Sequence, residues 1–464
     1  MRPGIQITAG VVVALALALV LVPAPAAGHG AFPDSESLLT PPERPDEIVL
    51  VLNFGLLLTS DGGKSWLWSC EHLANELGRF YQLGPLPRHR LYAVANNRLI
   101  YTADRSCSWQ IVGGAIADVR VIHAFVDPVR PDWVLVAGTR SGADLVLDSA
   151  DGGESFDVRY TTAPGDFVIN VERARSDPLT IYAALQSGPM FLPALARSTD
   201  GGASWQVINL FAMGGPGTVR IIAIDPDNPR KLFLRWSGAS GDAVAVSEDG
   251  GDTVTKTLTA STGLFTAFVR APSGALLVGG TVDSAPALFR SRNGGATFER
   301  APDPPPLRAL SEREGRIYAA SDNFTSGWVV GSTVDEGDSW QPVVSFAEVR
   351  GIVGCGMLAC QAECQKLVTM LIWPAAVCEA KVDAGVTTPA DAGGAGTGGE
   401  PGGEGAGGGG GGAGGKGGGA GGGCGCAVDG LPFAGAGPAL AALAASLLLR
   451  ARRRERERER ERSG

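Results

Sequence analysis

Between residues 31 and 354 the chain is a succession of short apolar runs separated by polar turns. Val119-Arg-Val-Ile-His-Ala-Phe125 is followed by the turn Asp127-Pro-Val-Arg-Pro131, then by Trp133-Val-Leu-Val-Ala137 and Leu145-Val-Leu147. Runs of three to seven residues rich in β-branched and aromatic side chains, bounded by Pro, Asp and Asn, predict strands rather than helices. The layout returns at Val219–Ile224, Asp225–Pro229 and Leu232–Leu234, so the unit that repeats is larger than a hairpin.

A short motif marks each period. Its Asp or Asn falls at Asp61, Asp104, Asp151, Asp200, Asp249, Asn293 and Asp335, with spacings of 42 to 49 residues. Copies such as Thr59-Ser-Asp-Gly-Gly-Lys-Ser-Trp66 and Ser198-Thr-Asp-Gly-Gly-Ala-Ser-Trp205 are close to one pattern, whereas Thr102-Ala-Asp-Arg-Ser-Cys-Ser-Trp109 departs from it at the glycines. The residue types suit a tight turn. The carboxylate accepts backbone N–H bonds, glycine takes a positive φ, and the aromatic residue enters the core. One carboxylate per turn gives too few oxygens for calcium, so the motif reads as architecture and no metal is expected.

The pattern Ser/Thr-x-Asp-x-Gly-x-Ser/Thr-aromatic resembles the Asp-box, or bacterial neuraminidase repeat, of sialidase-like propellers. The resemblance implies an all-β fold: a seven-bladed β-propeller of four-stranded blades over residues 31–354, with each motif between the third and fourth strands. Two segments compete to complete blade one: Val349-Arg-Gly-Ile-Val353 after the last motif, and the stretch around Ser37 to Thr40.

The ends change the picture. An apolar run from Val11 to Val22 followed by small residues predicts a signal peptide over residues 1–28, cut between Ala26 and Gly28, and hence export. A formal net charge of −9 and the lack of a basic patch argue against a nucleic-acid binder. The eight cysteines fit an oxidising destination. Cys355, Cys360, Cys364 and Cys378 predict two disulfides in a helical appendix over residues 355–382. Cys360 and Cys364 lie one turn apart, and Trp373-Pro374 ends the helix. There is no Cys-x-x-Cys pair to suggest zinc. Cys70 and Cys107 remain as candidates for a bridge between neighbouring blades.

Residues 383–423 are mostly glycine and bury too little apolar surface to fold, which predicts a disordered tether with an r.m.s. span of roughly 35 Å. After it come Cys424-Gly-Cys426, an apolar segment from Leu431 to Leu449, and Arg450, Arg452, Arg453 and Arg454. The segment is long enough to span a bilayer, with the arginines on the cytoplasmic side. Residues 424–464 resemble the myxobacterial C-terminal sorting signal. That implies a membrane helix, a sorting protease that cuts near Cys424 and Cys426, lipid attachment through one of them, and display at the cell surface.

Two functions compete. Sialidase-type sites require an arginine triad, a tyrosine with a glutamate partner and an Arg-Ile-Pro motif, to which only Arg316-Ile-Tyr318 comes near. The xyloglucan-cleaving relatives place their cleft between two propellers, and this chain has room for one. The seven-bladed pattern also resembles photosystem assembly factors and sortilin-like receptors, whose work is binding. The expectation is therefore a monomeric, non-catalytic recognition or scaffold module for a glycan or protein ligand, without a cofactor; the alternative is a glycoside hydrolase. Arg120, Arg220, Arg308 and Arg350 begin runs that read as innermost strands, which predicts a cationic collar at the channel mouth able to pair carboxylates.

Overall fold

Each of the seven sequence periods folds into one antiparallel sheet in a computed structural model of the chain, which describes residues 32–71, 78–379 and 426–427. Blade one runs Ser35–Leu39, Ile48–Leu52, Gly55–Thr59 and Leu67–Ser69, each strand hydrogen-bonded to the next. The inner strands of the following six blades are Arg79–Leu83, Arg120–Val126, Phe167–Arg173, Thr218–Ile224, Leu264–Arg270 and Leu307–Arg313. Both faces of each sheet are covered by neighbouring blades, so the middle strands, such as Ile48-Val-Leu-Val-Leu52, are apolar throughout and fully buried.

The core is not one mass but seven layers, one between each pair of neighbours. Val49, Leu56, Ala93 and Ile100 fill the gap between blades one and two. Leu38, Leu50, Ala320 and Val330 fill the gap between blades one and seven, which closes the ring. The four antiparallel strands of every blade come from one stretch of chain, and at that seam Gly351–Ile352, from beyond blade seven, adds a fifth strand to the outer edge of blade one. Side chains bridge it as well: Arg308 Nε donates to Asp34 Oδ1 at 2.7 Å, Thr40 and Ser311 share a hydroxyl bond of 2.7 Å, and Arg313 Nη1 donates to the Glu47 carbonyl at 2.6 Å.

This settles which segment completes blade one. The inner strand is Ser35–Leu39, and Gly351–Ile352 pairs in parallel with Leu67–Trp68 on the outer edge. The expectation that Val349–Val353 is an inner strand is corrected: its apolar residues pack under the appendix rather than at the channel.

The repeat turns join third and fourth strands in all seven blades. In each, the first Ser or Thr accepts from a backbone amide within the turn and donates to the Asp or Asn, as at Ser149, where Gly153 N–H donates at 2.8 Å and the hydroxyl reaches Asp151 Oδ1 at 2.8 Å. The carboxylate accepts from the amide and hydroxyl of the residue four positions on, here Ser155 at 2.9 and 2.5 Å. The positions after Asp have positive φ, and where glycine is missing Arg105 and Ser106 adopt it at 57° and 70°. Trp66, Phe156 and Val254 are buried below their turns, and Trp109, Trp205, Phe298 and Trp340 are half-buried.

These hydrogen bonds hold the turn carboxyls low. The hydroxyl and amide of Ser204 bring Asp200 to about 2. At Asp335 burial works upward, but the bonds from Ser339 and Thr333 prevail and the value is again about 2. Asp61, Asp104, Asp151 and Asp249 are lowered as well. A depressed carboxyl stabilises the fold above its unfolded value near 4, and that contribution is lost as pH falls through the folded value. Denaturation midpoints are therefore expected to drop between roughly pH 4 and 2. Asp151→Ala is expected to cost about 1 kcal/mol, like the loss of a helix cap, by urea denaturation at pH 7.

The appendix is a helix, Met357–Thr369, followed by Ala376–Glu379. The first helix ends before Trp373-Pro374 because Leu371, at φ 61°, turns the chain. Cys360 and Cys364 are buried on one face as expected. Their partners are not. Cys70 bonds Cys360 and Cys107 bonds Cys355, leaving Cys364–Cys378 as the only bridge inside the appendix. The anticipated Cys70–Cys107 bridge and second internal bridge are thus replaced by two that tie the appendix to blades one and two. Among the described residues no helix is long and apolar enough to cross a membrane. The predicted signal peptide, tether and apolar segment 431–449 lie outside the described residues, as does Cys424. Of Cys426 only the backbone is described, in a two-residue bridge to Ala267–Phe268.

Candidate functional site

The inner strands surround a cavity of about 460 Å³ in the channel, with walls from blades one to five and seven. All seven inner strands carry an irregularity in their pairing with the second strand. Bulges of this kind re-aim side chains, so equal positions in the repeat need not face the same way.

Three chemically active side chains from successive blades line this cavity: His123, Glu172 and Arg220. Asn170 fixes the register between blades four and five, donating from Nδ2 to the Ile221 carbonyl at 2.9 Å and accepting from the Ile221 amide at 3.1 Å. That clamp is adjacent to Arg220 in the chain. The Arg220 guanidinium carbon lies 5.4 Å from the centre of the Phe80 ring, whose edge contact with His123 is 4.9 Å between centroids. Phe80 itself has φ 54°, an uncommon conformation for an aromatic residue.

Burial dominates the titration of this group. It pushes Glu172 up to about 8, with Arg220 pulling the other way. It pushes His123 down to about 3, aided by repulsion from Arg220. At neutral pH the carboxyl is therefore protonated, the imidazole neutral and the guanidinium charged.

The predicted arginine collar does not form. Arg220 reaches the cavity, but Arg120 is exposed and donates to Asn97 Oδ1 at 3.3 Å. Arg308, placed at the irregularity of its strand, pairs with Asp34 across the ring seam. Arg350 precedes the outer-edge strand, its amide bonded to the Trp66 carbonyl at 2.8 Å, and lines a separate cavity of about 420 Å³ beneath the appendix. Sequence reasoning missed His123, Glu172 and Phe80. The available signal was a polar residue within an apolar inner strand, as in Phe167-Val-Ile-Asn-Val-Glu-Arg173.

Among the described residues no group of three or more His, Cys, Asp or Glu side chains is placed to hold a metal ion. No protein-family profile matches the chain, and no curated protein matches it. Solved structures do resemble it. The GH74 enzyme of Niastella koreensis is 16% identical over 70% of this chain and 68% of that one, with a TM-score of 0.39. YCF48 bound to D1 peptide is 17% identical over 62% and 91%, with a TM-score of 0.43. Sqt1 of Saccharomyces cerevisiae is 8% identical over 68% and 86%, with a TM-score of 0.48. Likeness at this level concerns fold and not chemistry. The chain is a seven-bladed β-propeller with structural neighbours of the GH74 and YCF48 types.

Proposed function

We propose that this chain is an exported, cell-surface propeller that recognises a glycan or protein group in its channel without cleaving it. The observation that carries this reading is the channel cavity itself. At about 460 Å³ it suits one small group, and its wall combines apolar residues such as Phe125 with the few converging polar groups that fix a ligand's orientation. Hydrolysis of a glycoside by the usual route needs two carboxyls flanking the bond, one of them ionised. Glu172 is protonated, and the other carboxyls on the wall, Glu36 and Glu43, belong to the start of blade one's inner strand and to the loop beyond its end. Glu312, on the inner strand of blade seven, accepts from the Gly315 amide at 2.9 Å.

Export and display rest on the two ends of the sequence, and three disulfides suit an oxidising compartment. The Asp-box ancestry of the repeat and the sorting role of Cys424 and Cys426 belong to the same proposal. One observation favours the hydrolase alternative: a carboxyl held at about 8 is in the form a general acid requires. Incubating the oxidised chain with sialylated glycans and β-glucans while measuring binding separates the two. Binding without product is expected; release of reducing sugar makes Glu172 a catalytic candidate and ends the non-catalytic reading.

A further inference from the structure

We propose that the channel pocket binds a sugar acid, a single hexuronate-sized ring whose carboxylate pairs with Arg220 while Ser37, His123 and Glu172 take its oxygens. This rests on the recognition reading above and names its ligand class.

Two buried polar atoms on the wall lack partners. Ser37 Oγ, from blade one, and His123 Nδ1, from blade three, have no hydrogen-bond partner among the described residues, and both residues are 6% exposed. Buried polar groups are normally satisfied, so unpaired ones beside a cavity point to something that fills it. The set is rich in donors. Ser37 offers a hydroxyl, neutral His123 a ring N–H in one tautomer, protonated Glu172 a carboxyl O–H, and Arg220 a planar fork. Donors gathered beside the Arg220 guanidinium complement an anion that also carries hydroxyl acceptors. Phe125 supplies apolar surface for ring C–H groups, and Phe80 holds the guanidinium against its face.

Arg220 faces both Glu172 and the ligand, so binding is linked to protons. While Glu172 is protonated the guanidinium pairs with the ligand; when Glu172 ionises the two anions compete. Among the described residues, the other ionisable groups on the wall are Glu36 and Glu43 in blade one, Tyr81 in blade two and Arg175 after the inner strand of blade four. Burial raises Tyr81 far above this range, so Glu172, at about 8, is the group whose shift places its titration between pH 7 and 9.

The test is calorimetric titration of the full exported chain with glucuronate, glucose, acetate and a peptide ending in a free carboxylate. Glucuronate is expected to bind at least about tenfold more tightly than glucose or acetate, and Arg220→Gln to lose about tenfold or more. Raising pH from 7 to 9 is expected to weaken glucuronate about tenfold, and Glu172→Gln to abolish that dependence. Ser37→Ala gives an independent loss of roughly three- to tenfold should Arg220→Gln fail to fold. Equal affinity for glucuronate and glucose, no binding of glucuronate, or binding of the peptide alone overturns the sugar-acid assignment. A bound peptide or neutral glycan leaves the recognition reading intact, whereas hydrolysis removes that reading instead.

Discussion

Serine at Cys70 is expected to lower the stability of the oxidised chain by about 2–5 kcal/mol, among the larger losses available to a single substitution. The bridge to Cys360 spans 290 residues, so breaking it returns a large freedom to the unfolded chain. It also loosens the appendix, which covers blade one through an aromatic cluster. Trp373 meets Trp68 at 5.1 Å and Phe54 at 5.8 Å between ring centroids. The bridge ties the end of blade one to the segment that follows blade seven, beside the place where Gly351–Ile352 pairs with Leu67–Trp68, so it fastens the ring closure covalently. Guanidinium denaturation of wild type and Cys70→Ser, followed by tryptophan fluorescence, measures the effect. An unchanged midpoint shows that the bridge adds nothing to the closed ring.

Trp68→Ala is expected to cost about 3–5 kcal/mol, the usual toll for emptying a large buried aromatic site. Trp68 is fully buried, and its indole N–H donates to the Phe54 carbonyl at 3.1 Å. The site was shaped around it. Gly55, at φ 126°, passes so close that a Cβ there would lie 2.1 Å from the Ser69 carbonyl oxygen and 2.9 Å from the indole nitrogen. Trp68→Phe keeps most of the apolar contact and is expected to lose less. Trp68→Ala combined with Cys70→Ser is expected to cost less than their sum, since both release the same appendix. Full additivity by equilibrium denaturation shows instead that appendix and blade are energetically separate.

The blades were readable because their turns make unusual demands. A carboxylate or amide, residues at positive φ and a flanking hydroxyl must coincide within eight residues, and that coincidence recurs at Asp61, Asp151 and Asp200 in nearly the same letters. It survives at Asp104 without the glycines because the same hydroxyl-to-carboxylate bonds form, Ser108 to Asp104 at 2.5 Å among them. What lay beyond the sequence was long-range. Cys107 and Cys355 are separated by 248 residues, and their pairing depends on ring closure bringing the appendix to blade two. The channel group was hidden for a different reason. Arg120 and Arg220 each lie two residues before the irregularity of their strands and Arg308 lies within its own, yet only Arg220 lines the cavity, while the informative residues, His123 and Glu172, resembled tolerated polar substitutions in apolar strands.

The most direct test of channel recognition is a crystal structure of the oxidised chain with the tightest-binding member of a glycan and peptide array. An intact ligand seated between Ser37, His123 and Arg220 is the predicted result. A ligand bound outside the channel, or a cleaved product within it, contradicts the account.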